Sequence, residues 1–178
     1  EPDVLRDVQS ALEAASATRQ QLLISEHSSL LTAFAKRLTP IPELLAELRR
    51  SIGERGEVLD SASFELADLR HSIKQERTRV RRQLEKLLQD ESLQTVFQES
   101  LVTDRNGRYV VPVRADHSGR LKGFVHDVSA SGQTLYLEPA TTLESNNRIQ
   151  TTLHKIAREE ERILAGLPAG VRKVRKEL

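Results

Sequence analysis

A single stretch with the character of a β-sheet lies between two long helical stretches, and it constrains the fold more than any other part of the chain. Residues 105–147 read RNGRYVVPVRADHSGRLKGFVHDVSASGQTLYLEPATTLESNN. Short runs rich in β-branched and aromatic residues alternate there with Asn-Gly and Ser-Gly pairs, which is typical of hairpins. A small sheet set between two helices predicts a stalk that carries a head on its tip.

The turn signals in this stretch predict four short antiparallel strands. Asn106-Gly107 favours a type I′ turn, because both central residues of that turn need positive φ. Ser118-Gly119 and Ser131-Gly132 separate the later strands in the same way. Pro112 donates no hydrogen bond to a ladder, so its strand is expected at a sheet edge or beside a bulge.

The helix that leads to the head is expected to begin near residues 60–63, with Ser61 or Ser63 as its cap, and to run to about Asp90. Its apolar residues recur close to a heptad pattern that Glu76 interrupts. They are Leu66, Leu69, Ile73, Val80, Leu84 and Leu87. A helix so long and polar needs a partner along its apolar seam.

The helix that follows the head is the expected partner. Thr141 and Glu144 fit a capping box, with the threonine as N-cap. The apolar residues then continue through Ile149, Leu153, Ile156 and Ile163. Two such helices around a β insertion predict an antiparallel helical hairpin.

The two ends of the chain give weaker patterns. Residues 3–38 have helical periodicity with a break expected near residues 25–29, and prolines at positions 40 and 42 end this run. A short helix follows, with Leu44, Leu45, Leu48 and Ile52 apolar. Near the C-terminus, Gly166, Pro168 and Gly170 predict a helix break before a basic tail.

The fold class predicted is mainly α with a small β insertion.

Composition limits the function classes. The 178 residues carry a formal net charge of +1, and they contain neither cysteine nor methionine. The lack of cysteine excludes disulfides and thiolate chemistry, and the lack of methionine predicts a fragment of a longer gene product. No apolar run approaches the ~20 residues of a membrane span. A nucleic-acid surface would have to come from local charge patterning rather than net charge.

Two sets of cations are candidates for binding phosphates. In the head they are Arg105, Arg108, Arg114, Arg120 and Lys122. On the outgoing helix, at spacings of four, three and four, they are Arg70, Lys74, Arg77 and Arg81. For the helix, the alternative is a solvated face with intrahelical ion pairs. For the head, it is an ordinary solvated small sheet.

Catalytic and metal sites are not expected in this chain. His126, Asp127, Ser129 and Ser131 contain the residue types of a hydrolase triad, but neighbours on one strand and turn do not converge, so turn hydrogen bonding is favoured. The sequence contains no phosphate-binding loop and no cluster of metal ligands.

The head and the start of the return helix resemble the bacterial MutS family, specifically its second branch, which lacks the mismatch-recognition domain. The matching residues are GRYVVPVRADHSGRLKGFVHDVSASGQTLYLEP followed by LESNNRI, with GEVLDSASFELADLR upstream. The tail GLPAGVRKVRKEL departs from the family pattern.

The resemblance implies a division of the chain. Residues 1–60 would belong to an α-helical core, 61–98 to the outgoing lever helix, 99–139 to the β clamp, 140–165 to the returning lever, and 166–178 to a basic tail. In this family two protomers close their levers and clamps around DNA, under the control of an ATPase domain further along the chain. ATP and Mg²⁺ are therefore expected only in the parent protein, as is a C-terminal endonuclease domain.

The function expected is a non-enzymatic clamp of a cytoplasmic, nucleoid-associated protein that grips branched or duplex DNA through its backbone. One alternative is a dimerisation scaffold, because a heptad seam does not identify its partner. The other, which the family's link to stalled ribosomes suggests, is a clamp for ribosomes or structured RNA.

Overall fold

The computed structural model describes residues 2–24, 29–38 and 41–177, and it describes side chains at 3–24, 30–38 and 41–167. The chain divides into two compact units, one made of Glu1–Asp68 with Ile156–Leu178 and the other of Leu69–Lys155. Among the helices of the described ranges, none has both the length and the hydropathy needed to cross a bilayer.

Five helices and four strands make up the described fold. The helices are α1 (Pro2–Ile24), α2 (Ser29–Arg37), α3 (Pro42–Ser51), α4 (Phe64–Leu88) and α5 (Leu143–Glu177). The strands are β1 (Thr103–Arg105), β2 (Arg108–Arg114), β3 (Gly123–Val128) and β4 (Thr134–Pro139). A mainly helical chain with a small antiparallel sheet is confirmed.

The first unit contains α1 to α3, the start of α4 and the end of α5. Arg49 of α3 forms a 2.8 Å salt bridge with Glu13 of α1. The apolar core of this unit includes Leu44, Leu48, Ile52, Val58, Leu66, Ile156, Ile163 and Leu167. The predicted helix break near residues 25–29 falls mostly outside the described residues.

The N-terminus of α4 is fixed by a serine cap, as the sequence indicated. Ser63 Oγ accepts a hydrogen bond from the backbone N–H of Leu66 (3.0 Å) and donates one to Glu159 Oε1 (2.6 Å). Hydrogen bonds from Arg162 and then from Ser63 lower the pKa of the buried Glu159 carboxyl to about 2. Glu159 therefore stays ionised at neutral pH and holds the start of α4.

Two predicted helix ends were wrong. Thr141 lies in a 3-10 turn (Ala140–Thr142), and the Glu144 carboxylate pairs with Arg148 one turn later (2.6 Å) rather than completing a capping box. The break at Gly166 is also absent, because α5 continues to Glu177. Leu167 is buried beside these helix-breaking residues, so packing overrides local propensity there. The side chains of residues 168–178, which include the predicted basic tail, lie outside those described.

In the second unit the seam of α4 is largely as predicted. Ile73, Val80 and Leu84 are buried, but Leu88 rather than Leu87 completes the row. On α5, Ile149 is buried. Glu76, which interrupts the apolar pattern, forms a 3.3 Å salt bridge with Arg148 of α5. The polar position in the seam therefore has a charged partner on the return helix.

The head is a four-stranded antiparallel sheet in the order β1-β2-β4-β3. Asn106 and Gly107 join β1 to β2 with φ values of 54° and 76°, which confirms the predicted turn. The core of the sheet is formed by Val110, Val111, Val113 and Leu137 with Val96 and Phe97. A β-bulge at His126 interrupts the pairing of β3 with β4.

Pro112 was predicted in an edge strand or beside a bulge, and this was wrong. β2 lies between β1 and β4. The Pro112 carbonyl accepts a hydrogen bond from Gln98 N (2.9 Å), on the side of β2 away from β4. Because the N and O of one residue point to the same side of a strand, the missing N–H faces this outer segment and costs the β2–β4 ladder nothing.

Replacing Gly123 by Ala should lower the free energy of unfolding by about 1–3 kcal/mol, because the added methyl group has no space at this site. A Cβ at Gly123 would collide with the Glu138 carbonyl oxygen and Leu137 Cδ2. Gly119→Ala is the matched control, since nothing lies within 4 Å of the added carbon there. Urea unfolding followed by circular dichroism measures both variants. Equal stability of the two would contradict the predicted clash.

Candidate nucleic-acid interface

The five candidate cations of the head fall into two groups that differ in whether a carboxylate neutralises them. Arg105 belongs to the neutralised group. Its Nε forms a 3.1 Å salt bridge with Asp127 of β3, and its guanidinium lies 3.8 Å from the centre of the Tyr136 ring. These contacts hold the side chain across the sheet.

Arg108 is also neutralised, in a buried polar network at the base of the head. Its Nη1 donates to both carboxylate oxygens of Glu138 (2.9 and 3.0 Å), and its Nη2 donates to Asn147 Oδ1 (2.7 Å). The Glu138 side chain is fully buried and also contacts His126 Nε2. Arg108 thus ties β2 to β4 and to the N-terminal part of α5.

Asn146 completes this network from α5. Its Nδ2 donates to Glu138 Oε1 (2.9 Å) and to the Tyr109 carbonyl (3.0 Å), while its Oδ1 accepts from Tyr109 N (3.2 Å). Both asparagines therefore bind the head, and they fix its sheet to the return helix.

Carboxylates neutralise Arg114, Arg120 and Lys122 less fully than they neutralise the other two cations of the head. Arg114 is about half exposed and pairs loosely with Asp116, at 3.4 Å. Hydrogen bonds from His117 and then from Arg114 lower the pKa of the Asp116 carboxyl to about 2. Arg120 is exposed and donates only to neutral acceptors, Thr95 Oγ1 (3.1 Å) and the Ser92 carbonyl (3.0 Å).

Lys122 is exposed immediately before β3. Among the residues that the structure describes, no ion pair engages Lys122 or Arg120. The head therefore presents two uncompensated cations and one that is partly compensated.

The outgoing helix carries a larger basic surface than the sequence indicated. The predicted stripe lies on α4 as expected, with Lys74, Arg77 and Arg81 exposed and Arg70 half-buried. Two further exposed cations extend it toward the head end of the helix. We call the set of Lys74, Arg77, Arg81, Arg82 and Lys86 the α4 basic face.

Two grooves follow this face, and their lining residues are mainly basic or neutral. One is lined by His71, Lys74, Gln75, Thr78, Arg79, Arg82, Gln83 and Lys86. The other is lined by Arg70, Ile73, Lys74, Arg77, Thr78, Arg81, Arg82, Glu85 and Tyr109. Glu85 is the one carboxylate among these lining residues. Within the described ranges, no ion pair neutralises a member of the α4 basic face, so its positive potential is available to an anion.

The hydroxyl groups near His126 make turn hydrogen bonds, as expected. Ser129 Oγ accepts from Thr134 N (3.0 Å), and Ser131 Oγ accepts from Gln133 N (3.4 Å). His126 is directed instead to Glu138. In the described part of the chain, no group of three or more His, Cys, Asp or Glu side chains is placed to hold a metal ion.

Sequence reasoning missed Arg82 and Lys86, although the signal was present. Both continue the row from Lys74 at helical spacing, through Thr78. The predicted stripe followed one narrow row of the helix surface, and Arg82 and Lys86 lie beside that row. Cations over a broader part of the helix surface can still face one ligand. No local pattern predicted the network around Glu138, because its contacts join residues that are 8 to 30 positions apart in the chain.

Comparison with known proteins gives a consistent set of relatives. No protein-family model matches the chain. A protein named Endonuclease MutS2 from Thermomicrobium roseum is 46% identical over 167 residues, which are 92% of this chain and 21% of that protein. Proteins of the same name from Geobacillus thermodenitrificans and Pelotomaculum thermopropionicum are 41% and 42% identical over 91% and 82% of this chain. The chain spans about a fifth of the length of these curated relatives.

Proposed function

We propose that this chain is the lever and clamp region of a MutS-type protein of the second branch, and that it grips branched or duplex DNA through the sugar-phosphate backbone. The observation that carries the proposal is the α4 basic face, an array of five cations without ion pairs among the described residues. Relatives named Endonuclease MutS2 support a nucleic-acid partner. The proposed lever comprises residues 61–98 and 140–165, and the clamp comprises 99–139.

The physical basis of the grip is charge rather than base reading. Long Lys and Arg side chains on a helix reach phosphates without contacting base edges, so they give affinity with little sequence preference. Arg114, Arg120 and Lys122 would add phosphate contacts from the head. Arg105 and Arg108 would contribute mainly by holding the sheet, since Asp127 and Glu138 engage their charges.

The whole protein would supply what this chain does not carry. We assign ATP and Mg²⁺ to an ATPase domain, and nuclease activity to a further domain, of a parent that acts as a homodimer in the bacterial cytoplasm, at the nucleoid. In this scheme the chain itself is not an enzyme. Its role is to bind DNA and to transmit movement driven by the nucleotide.

Changing Arg114, Arg120 and Lys122 together to Ala should weaken binding to a short DNA duplex and flatten its salt dependence. If each cation meets one phosphate, the slope of log K against log salt should become less steep by about 2.7. Fluorescence anisotropy with labelled duplex and four-way junction, at roughly 50–200 mM salt, measures the slope.

A matched control removes the same charge from another part of the molecule. Lys36, Arg37 and Arg55 are exposed cations of the first unit, and their alanine variant should keep the wild-type slope. An unchanged slope in the head variant would remove the head from the interface. A wild-type chain that sediments as a stable dimer and binds no DNA would favour the scaffold. Displacement of DNA by ribosomes or structured RNA from the same cations would favour the RNA clamp.

A further inference from the structure

The outer strand of the head exposes an aromatic side chain to solvent. Phe124 of β3 is 57% exposed, although the chain has only six aromatic residues from which to build its core. β3 is an edge strand that pairs only with β4 in the sheet. Large exposed apolar side chains on an edge strand favour association with a ligand or another chain.

The geometry of β3 disfavours another strand as the ligand. The bulge at His126 disrupts the regular ladder that an added strand would need. Asp127, half exposed on the same strand, also opposes edge-to-edge pairing. The apolar surface of Phe124 is therefore available to a planar group rather than to a backbone.

Lys122 immediately precedes β3 and stands two residues before Phe124. The Lys122 carbonyl accepts a hydrogen bond from Ala140 N (2.9 Å), so the extended pairing of β3 with its neighbour begins at Lys122. Residues i and i+2 of an extended strand lie on one face, which places Lys122 and Phe124 side by side. Gly123 between them permits close contact with the backbone of β4.

The nearby carboxylates do not oppose an anion at this place. Glu138, the register partner of Phe124, is buried and bonded to Arg108. Asp127 is paired with Arg105 at 3.1 Å. Lys122 remains as the uncompensated charge next to the aromatic ring. An aromatic ring with an adjacent cation is the arrangement that binds unpaired nucleobases, since the ring stacks on the base and the cation meets its phosphate.

We infer that Phe124 and Lys122 form a stacking site for an unpaired base, so that DNA with a gap, a flap or an open branch point binds better than a continuous duplex. The inference rests on the proposed function and names the DNA structure that the head prefers. The α4 basic face supplies affinity for any phosphate backbone. Phe124 adds discrimination between stacked and unstacked bases.

The test uses the whole chain with two probes of equal length, a continuous duplex and a duplex with a short single-stranded gap that contains 2-aminopurine. Stacking on Phe124 should quench the 2-aminopurine fluorescence. Phe124→Ala should abolish this quenching and weaken binding to the gapped probe by about 5- to 100-fold, while duplex binding stays as in the wild type. Phe124→Trp should retain both signals, because indole also stacks.

Phe64→Ala is the matched control, since Phe64 is 94% exposed in the first unit. It should leave both probes unaffected. Wild-type chain that binds the two probes equally, or Phe124→Ala chain that weakens both probes by the same factor, would overturn the stacking site but not the backbone grip. Binding of neither probe by the wild type would overturn the proposed function as well.

Discussion

Replacing Glu138 by Ala should lower the free energy of unfolding by roughly 3 kcal/mol, because it removes the buried acceptor of a charged network. Arg108, His126 and Asn146 all contact this carboxylate, and their polar groups would lose their common partner. This loss of stability lies at the low end of the range for a broken buried ion pair, because the side chains of Arg108 and His126 are still 24% and 23% exposed. Water can therefore reach part of the network.

Chemical denaturation followed by circular dichroism measures this loss. Asp116→Ala provides the control, because it breaks a salt bridge between two exposed side chains of the same head and should change stability little. Glu138→Gln should be intermediate, since an amide oxygen can still accept from Arg108 while its NH₂ group faces other donors. Wild-type stability of Glu138→Ala would show that the network contributes nothing.

Arg108 is a poor probe of DNA binding, because it also stabilises the head. Arg108→Ala would break the same network, so weaker binding by that variant would reflect a disturbed head as well as any lost phosphate contact. Arg120 and Lys122 have no carboxylate partner among the described side chains. Their variants therefore report on binding more directly.

Reversing the charge of Lys74, Arg82 and Lys86 to Glu should reduce the affinity for duplex DNA by on the order of 100-fold or more near 0.1 M salt. Each cation that contacts a phosphate releases counterions when DNA binds. The loss of three such contacts therefore lowers the binding constant by the product of three factors. Glu has nearly the helix propensity of Lys and Arg, so α4 should persist. Anisotropy across a salt series measures the affinity, and far-UV circular dichroism checks the helix.

The control reverses the same number of charges at Lys36, Arg37 and Arg55 of the first unit. It has the same net charge as the α4 variant, so an effect of overall repulsion alone would appear in both. Equal losses in the two variants, or full binding by the α4 variant, would contradict the proposed interface. A specific loss in the α4 variant would make this face the main source of backbone affinity.

Features that depend on neighbouring residues were predictable from the sequence. The Asn106-Gly107 turn follows from the low cost of positive φ in those two residues, and the Ser63 cap follows from a hydroxyl placed before an apolar helix. Helical spacing also placed Lys74, Arg77 and Arg81 on one surface. The predicted ends of α5 were wrong, since α5 begins after the 3-10 turn Ala140–Thr142 and continues past Gly166.

The state of each charge could not be predicted from its position in the chain. Arg105 and Arg120 each lie next to a predicted turn, but Arg105 meets Asp127 across the sheet while Arg120 donates to the neutral Thr95. The difference arises from strand order, because β2-β4-β3 pairing decides which carboxylates lie near which cations. Phe124 is likewise an aromatic residue of the kind expected in a core, but its position on the edge strand leaves its side chain exposed.

The mainly helical class, the hairpin turn, the apolar seam of α4 and the position of its cations could be predicted, since these depend on periodicity and on the conformational preferences of adjacent residues. The fold was needed to show that Glu138 holds Arg108, 30 residues away, while Lys122 has no carboxylate partner among the described residues. Coulomb and hydrogen-bond energies fall steeply with distance. They are set by the few ångströms between side chains in the fold and not by their separation along the chain.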